Sequence, residues 1–186
     1  KMMSVFAAAA LALTALPAAV FAADSTGLEQ AIATAKFKIE IPAEYTEFDS
    51  FIQEDDRMEK NYELRWSTKG DDYTSAKSIE VSINSHGDVI SYWTSNDSYD
   101  GDVQFAAYNG QQLRDIAREW LFGVNPGWAD ELPEDAINYA PYSDLRSRTE
   151  NVSFERRVNG LPFCSNHVSV SVNTATGKVT GMWTNW

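Results

Sequence analysis

Cysteine is nearly absent from this 186-residue chain, with Cys164 its single example. No intramolecular disulfide can form, so an exported form must be held by its hydrophobic core rather than by cross-links. Histidine is almost as scarce, with only His86 and His167. Lys and Arg together number 15 against 27 acidic residues, a formal net charge of −12. Nucleic acid and anionic lipid both need clustered cations, so no nucleic-acid partner and no lipid-surface partner are expected. What the chain does have is a 44% hydrophobic fraction, enough for a real core and too much for a disordered acidic tail. Its length suits one ordinary domain or two small ones.

The one long apolar run lies at the N-terminus. Residues Lys1 to Ala22 combine a basic start, an Ala/Leu stretch from Val5 to Leu16, then Pro17 and small residues. That is the layout of a secretory signal peptide, with Val20 and Ala22 at the positions preceding cleavage before Ala23. A membrane anchor is disfavoured because the run is short, rich in alanine and broken by Pro17. No lipobox cysteine follows. The expected location is therefore secreted or cell-wall associated, without membrane insertion after cleavage. The first residue is Lys rather than Met, so a trimmed N-terminus is expected.

Beyond the leader the sequence repeats with a period of about 90 residues. Each half opens with a helical pattern. Leu28, Ala31, Ile32 and Ala35 fall at i, i+3, i+4 and i+7, giving one apolar face. Thr26, with Glu29 three residues on, predicts a capping-box start. In the second half Leu113, Ile116, Ala117, Trp120 and Leu121 repeat that spacing, Asn109 is the predicted cap, and Gly123 to Pro126 ends the helix.

Each half then changes to period two. Tyr62, Leu64 and Trp66 alternate with charged residues, and Phe154-Glu-Arg-Arg-Val158 echoes them. Ile79, Val81 and Ile83 match Val168, Val170 and Val172, as strands with one buried face. Turns follow at Asn84 to Gly87 and Asn173 to Gly177, where each Gly supplies positive φ. The closing strands also agree, Val89, Ser91 and Trp93 against Val179, Gly181 and Trp183. Only the second half has Asn159-Gly160, the dipeptide of a type I′ hairpin turn, with Pro162 marking an edge or a strand start. Helices on one face of antiparallel strands predict an α+β fold in two tandem units, 23–100 and 101–186 after the signal peptide 1–22. Whether the units share one sheet or abut is left open by these patterns. The boundary is expected between Tyr99 and Tyr108.

The run Phe154-Glu-Arg-Arg-Val-Asn-Gly-Leu-Pro-Phe163, then Val168 to Val179 and a closing Trp183, resembles the YcdB/YcdC repeated domain, a PepSY-like family of exported bacterial proteins. Ile41-Pro-Ala-Glu-Tyr45 and Tyr62-Glu-Leu-Arg-Trp66 carry the likeness in the first half. The chain departs from the pattern at His86-Gly87, where Thr-Gly is usual. The resemblance implies a PepSY-like or cystatin-like, non-catalytic module that binds or restrains a peptidase, or serves as a domain of a cell-envelope protein. It also suggests a fragment or short relative of a longer envelope protein.

No convergent catalytic, cofactor or metal residues are assigned. His86 and His167 lack further ligands at suitable spacing. A Cys164–His167 pair would point to opposite faces of a strand, so Cys164 is expected to pack. The carboxylates of Glu54-Asp55-Asp56, Asp71-Asp72, Asp130-Glu131 and Glu134-Asp135 fall in polar stretches expected to be solvated loops. They leave a secreted hydrolase as the weakest reading. Asn96 to Gly101 matches the front of a calcium loop, but Ala107 stands where the bidentate Glu belongs. Asn151 opens a glycosylation triplet without weight in a bacterial chain. Trp66, Trp93, Trp120 and Trp183 are expected in the core. Trp128 and Trp186 fit no period and are the candidate exposed contacts, for a protein partner (a peptidase or an envelope protein) or, as the alternative, for wall glycan.

Overall fold

The structure, a computed structural model, describes residues 25–55, 58–70, 77–95, 105–133, 137–138 and 148–185. The proposed leader, Asp71-Asp72, Asn96 to Gly101, Glu134-Asp135, Trp186 and the Cys164 side chain lie outside this description.

Helix α1 (Ser25–Lys38) is followed by strands β1 (Glu47–Asp55), β2 (Met58–Ser67), β3 (Ser78–Asn84) and β4 (Val89–Thr94). Helix α2 (Gly110–Val124) then leads through a 3₁₀ turn (Pro126–Trp128) to β5 (Ile137–Asn138), β6 (Thr149–Val158), β7 (Leu161–Asn173) and β8 (Val179–Asn185). All eight described strands form one antiparallel sheet in the order β1-β2-β3-β4-β8-β7-β6-β5. The two halves of the chain thus meet in the middle, through the β4–β8 pair.

Both helices bury their apolar stripe on one side of this sheet, α1 against β2 and β3 and α2 against β6, β7 and β8. Ala31, Ala35 and Ile39 join Leu113, Ala117 and Leu121 over a floor of Leu64, Val81, Ile83, Val168, Val170 and Met182. All of these except Ile39 and Met182 follow the predicted periodicities. Asn109 caps α2 as expected. Its side chain accepts from the amides of Gln111 and Gln112, while Gln112 Oε1 accepts from the Asn109 amide at 2.9 Å. Helix α1 already includes Thr26, which is therefore inside the first turn rather than its cap. Glu54 and Asp55 end an edge strand instead of lying in a loop, because Phe48, Ser50 and Ile52 pair across β2 on the helix side.

Two of the four tryptophans expected in the core are not there. Trp66 is buried and Trp120 is half-buried on Tyr92, but Trp93 is 53% exposed and Trp183 42%. The reason is a β-bulge in each closing strand. Ile83 pairs with Val89 and Ser82 with Ser91, so Ile90 is an extra residue. Val172 pairs with Val179 and Ser171 with Gly181, so Thr180 is extra in the same way. One inserted residue reverses the side-chain alternation beyond it. Val89 and Val179 therefore face the helices, whereas Trp93 and Trp183 turn to the other side.

The turns before those bulges are built alike. Asn84 Oδ1 accepts from the amides of His86 and Asp88, at 3.0 and 2.8 Å, and Gly87 takes φ 84°. Asn173 Oδ1 accepts from Ala175 and Thr176, both at 3.0 Å, with Gly177 at φ 70°. The Asn side chain imitates a backbone carbonyl and closes the turn, and glycine supplies the left-handed residue. At the β6–β7 turn Asn159 and Gly160 have φ 53° and 77°, the predicted type I′ signs.

Asn125, the C-cap of α2, is fully buried. Its Oδ1 accepts from the Val89 amide at 3.0 Å and its Nδ2 donates to the Val89 carbonyl at 2.7 Å. Lys38 at the end of α1 donates to the Gly87 carbonyl at 2.8 Å and reaches Asn125 Oδ1 at 3.4 Å. One amide thus joins both helices to the strand that follows the first turn. Asn125→Ala leaves two buried backbone groups of Val89 unpaired and is expected to cost about 3 kcal/mol in urea unfolding. A loss below about 1 kcal/mol in the same measurement contradicts this role for the amide.

Tyr45 is buried, and its hydroxyl has no hydrogen-bond partner among the described residues. Burial, with Glu44 adding to it, raises the phenol above its ordinary value of 10.0. The folded state therefore holds this proton more tightly than the unfolded one. The resulting stability is complete below pH 10.0 and is lost as pH rises through the folded-state value. Tyr45→Phe should leave stability at neutral pH equal or higher and should flatten its alkaline decline. An unchanged alkaline decline in denaturant midpoints counts against this account.

Candidate functional site

The sheet face away from the helices is packed against by neither described helix. Alternation sets its members: Asp49 and Phe51 on β1, Glu63 and Arg65 on β2, Glu80 and Ser82 on β3, then Ser91 and Trp93, Gly181 and Trp183, and Ser169 and Ser171. At its centre Trp93 pairs with Gly181 and Ser91 with Trp183. The two tryptophans therefore stand on one diagonal, at roughly 7–8 Å between Cα positions, with small residues on the other. A Cβ on Gly181 would come within 3.2 Å of Trp93 Cε3, so the missing side chain lets this ring lie down on the neighbouring strand.

Several hydroxyls of this face bond within the protein. Ser82 donates to Glu63, Ser171 donates to Asn151 Oδ1 at 2.6 Å, and Ser153 and Ser169 share a bond of 3.3 Å. Arg65 is matched to Glu80 at 3.5 Å. With Asp49 and Glu63 beside them, the β1 end of the face carries an excess of negative charge. A hollow of about 210 Å³ lies there, lined by Asp49, Phe51, Glu63, Arg65 and Glu80.

Two concavities involve other surfaces. A cleft of about 780 Å³ separates the end of α1 from α2, with Ile79, Tyr92, Ile116 and Trp120 as its apolar lining and Lys38, Glu40, Glu44, Glu119 and Lys178 as its charges. Burial holds the Lys38 ammonium below its usual range, partly offset by Asp88. A second groove of about 580 Å³ contains Trp128 with Glu59, His86, Asp88, Glu131 and Arg156.

Trp128 is half-buried and packs on the core, with one side in that second groove. Trp186 lies outside the described residues. His86 is exposed in the β3–β4 turn with Nδ1 3.2 Å from Glu59, and His167 sits within β7 opposite Glu155. Glu131, from the acidic pairs considered for hydrolysis, forms an ion pair with Arg156, and its carbonyl accepts from the Arg157 amide at 2.7 Å. It anchors β6 to the turn after α2. Among the described residues no three of His, Cys, Asp and Glu are placed to hold a metal ion. No described helix is long and apolar enough to cross a membrane.

Sequence reasoning singled out Trp128 and Trp186 and passed over Trp93 and Trp183. The bulges that expose the latter pair leave no mark in an alternating pattern. A signal was nonetheless available: Gly181 and Ser91 are small residues inside strands that otherwise carry large ones.

This α+β arrangement, two helices on one face of an eight-stranded antiparallel sheet, coincides with a family match. The chain belongs to the YcdB, YcdC repeated-domain family, which it matches over residues 28–183. It is also similar in structure to the Bacillus megaterium YpeB C-terminal domain, with a TM-score of 0.58 and 13% sequence identity. That match covers 83% of this chain and 61% of the other, and at such identity it shows the fold alone. No curated protein matches the sequence.

Gly181→Val should lift the Trp93 ring from β8, and a red shift of Trp fluorescence is expected. Ser91→Val serves as the control, since it adds bulk on the same face. Equal spectra for Gly181→Val and the native chain would show that the ring does not rest on this glycine.

Proposed function

We propose that the chain is a non-catalytic, extracytoplasmic protein-binding module, and that its contact surface is the uncovered sheet face around Trp93 and Trp183. The exposure of these two rings at the centre of a helix-free face is the observation that carries the reading. Interfaces are anchored by large, rigid aromatic side chains, and apolar surface held out of a core at no evident structural need favours contact with a partner. The N-terminal leader supports export. The partner class follows the family resemblance: a peptidase that the module restrains, or a protein of the envelope to which it belongs.

A duplicated origin accompanies this reading. Matching Asn-initiated turns, matching bulges and matching Trp positions support two copies of one unit, 23–100 and 101–186, joined through β4 and β8. In this view the tryptophans are equivalent residues brought together at the junction.

Wall glycan is the weaker alternative. Sugar recognition needs free hydroxyl, amide or carboxylate partners beside the stacking rings, and here Ser82, Ser169 and Ser171 already bond within the protein. A hydrolase is weaker still, since Glu131 is committed to Arg156.

The test compares the chain from Ala23 onward with its Trp93→Ser/Trp183→Ser variant, both immobilised and exposed to the exported fraction of the host. A protein held by the native chain and lost by the variant is expected, with Trp128→Ser retaining it. If native chain and variant recover the same proteins, the surface is wrong. Retention of purified peptidoglycan that depends on the same two rings would transfer the assignment to glycan.

A further inference from the structure

Among the described strands β1, nine residues long, has a neighbour on one side only, and the device that guards this edge is negative charge. It contains no Pro and no Lys, and its register irregularity falls only at the end, between Gln53 and Asp55. The opposite edge, β5, has two residues. Phe48 and Phe51 are 45% and 66% exposed, on the two faces of β1. The Ser50 amide donates to the Asp49 carboxylate at 2.8 Å, so it turns away from β2 toward the open edge. In an antiparallel ladder the amides of Phe48 and Ile52 then face the same way.

We infer that β1 accepts an extended, cationic strand from a protein partner, with Asp49 as the latch. This rests on the protein-binding reading and names a second contact for it. Strand addition to a free edge draws its affinity from main-chain hydrogen bonds and its specificity from alternate side chains. Every ionisable residue of β1 is acidic: Glu47, Asp49, Glu54 and Asp55. Two copies of β1 therefore repel each other, and a strand bearing Lys or Arg is attracted. As that strand arrives, its cation takes the Asp49 carboxylate, helped by Glu63 and Glu80 in the adjoining hollow. The released Ser50 amide donates to the incoming carbonyl. Apolar residues of the added strand cover Phe48 and Ile52 on one face and Phe51 on the other.

The probe is the peptide Lys-Lys-Thr-Val-Val-Thr-Lys-Val-Lys, which places apolar residues opposite Phe48, Phe51 and Ile52 in an antiparallel register. Its binding to the chain from Ala23 onward should slow hydrogen exchange at the Phe48, Ser50 and Ile52 amides roughly tenfold or more, a readout that a loose ionic contact does not move. Asp49→Lys should weaken binding roughly tenfold, and the same variant should gain affinity for the peptide with Glu replacing Lys. Binding without protection of those amides overturns the inference, as does failure to bind, or an affinity that Asp49→Lys leaves unchanged. Trp93→Ser/Trp183→Ser should leave peptide binding intact. A partner still lost with that double variant, while the peptide fails to bind, retires the edge and leaves the face standing.

Discussion

A single buried side-chain amide ties the two halves of this chain together. Asn125 ends α2, yet both ends of its side-chain amide are spent on Val89, the first residue of β4. Val89 sits where the Asn84–Gly87 turn hands over to the bulged strand, and Lys38 brings the end of α1 to the same point. A buried polar group is tolerable only when its partners are complete, and that requirement fixes three elements relative to one another. The helices cannot shift along the sheet without breaking these bonds. The face they leave bare is therefore as well defined as the face they cover.

From that fixed frame the bulges at Ile90 and Thr180 acquire their consequence. Each places a valine under the helices and, four residues after that valine, sends a tryptophan to the other side. Because β4 and β8 are neighbours, the outward residues of both meet at the sheet centre. Gly181 gives Trp93 room to lie across β8. A hydrophobic core on one face and an aromatic pair on the other are thus produced by the same two inserted residues.

The helices, the Tyr62–Trp66 strand, the two valine-and-isoleucine strands and the Asn159-Gly160 hairpin were legible in the sequence. Each rests on a local rule: an i, i+3, i+4 stripe, an uninterrupted alternation, or a dipeptide suited to positive φ. Strand β1 was less visible, since its acidic residues mask the spacing of Phe48, Ser50 and Ile52. The site was hardly visible at all. Trp128 drew notice for fitting no period, yet it packs on the core beside Glu131 and Arg156. Trp93 and Trp183 were hidden because alternation counted from Val89 and Val179 puts them inside.

What the amino-acid sequence determined by itself was the class of the protein: α+β, with no possible intramolecular disulfide, strongly acidic and similar to the YcdB/YcdC repeated domain. Those properties follow from composition, periodicity and motif, which are fixed before any long-range contact forms. Only the tertiary structure decided that all eight strands join in one sheet through β4 and β8, and which side chains that sheet presents outward. The physical reason is that register and bulges are set by pairing between distant segments and by partners such as Asn125 for Val89. A residue's neighbours in sequence carry no record of either.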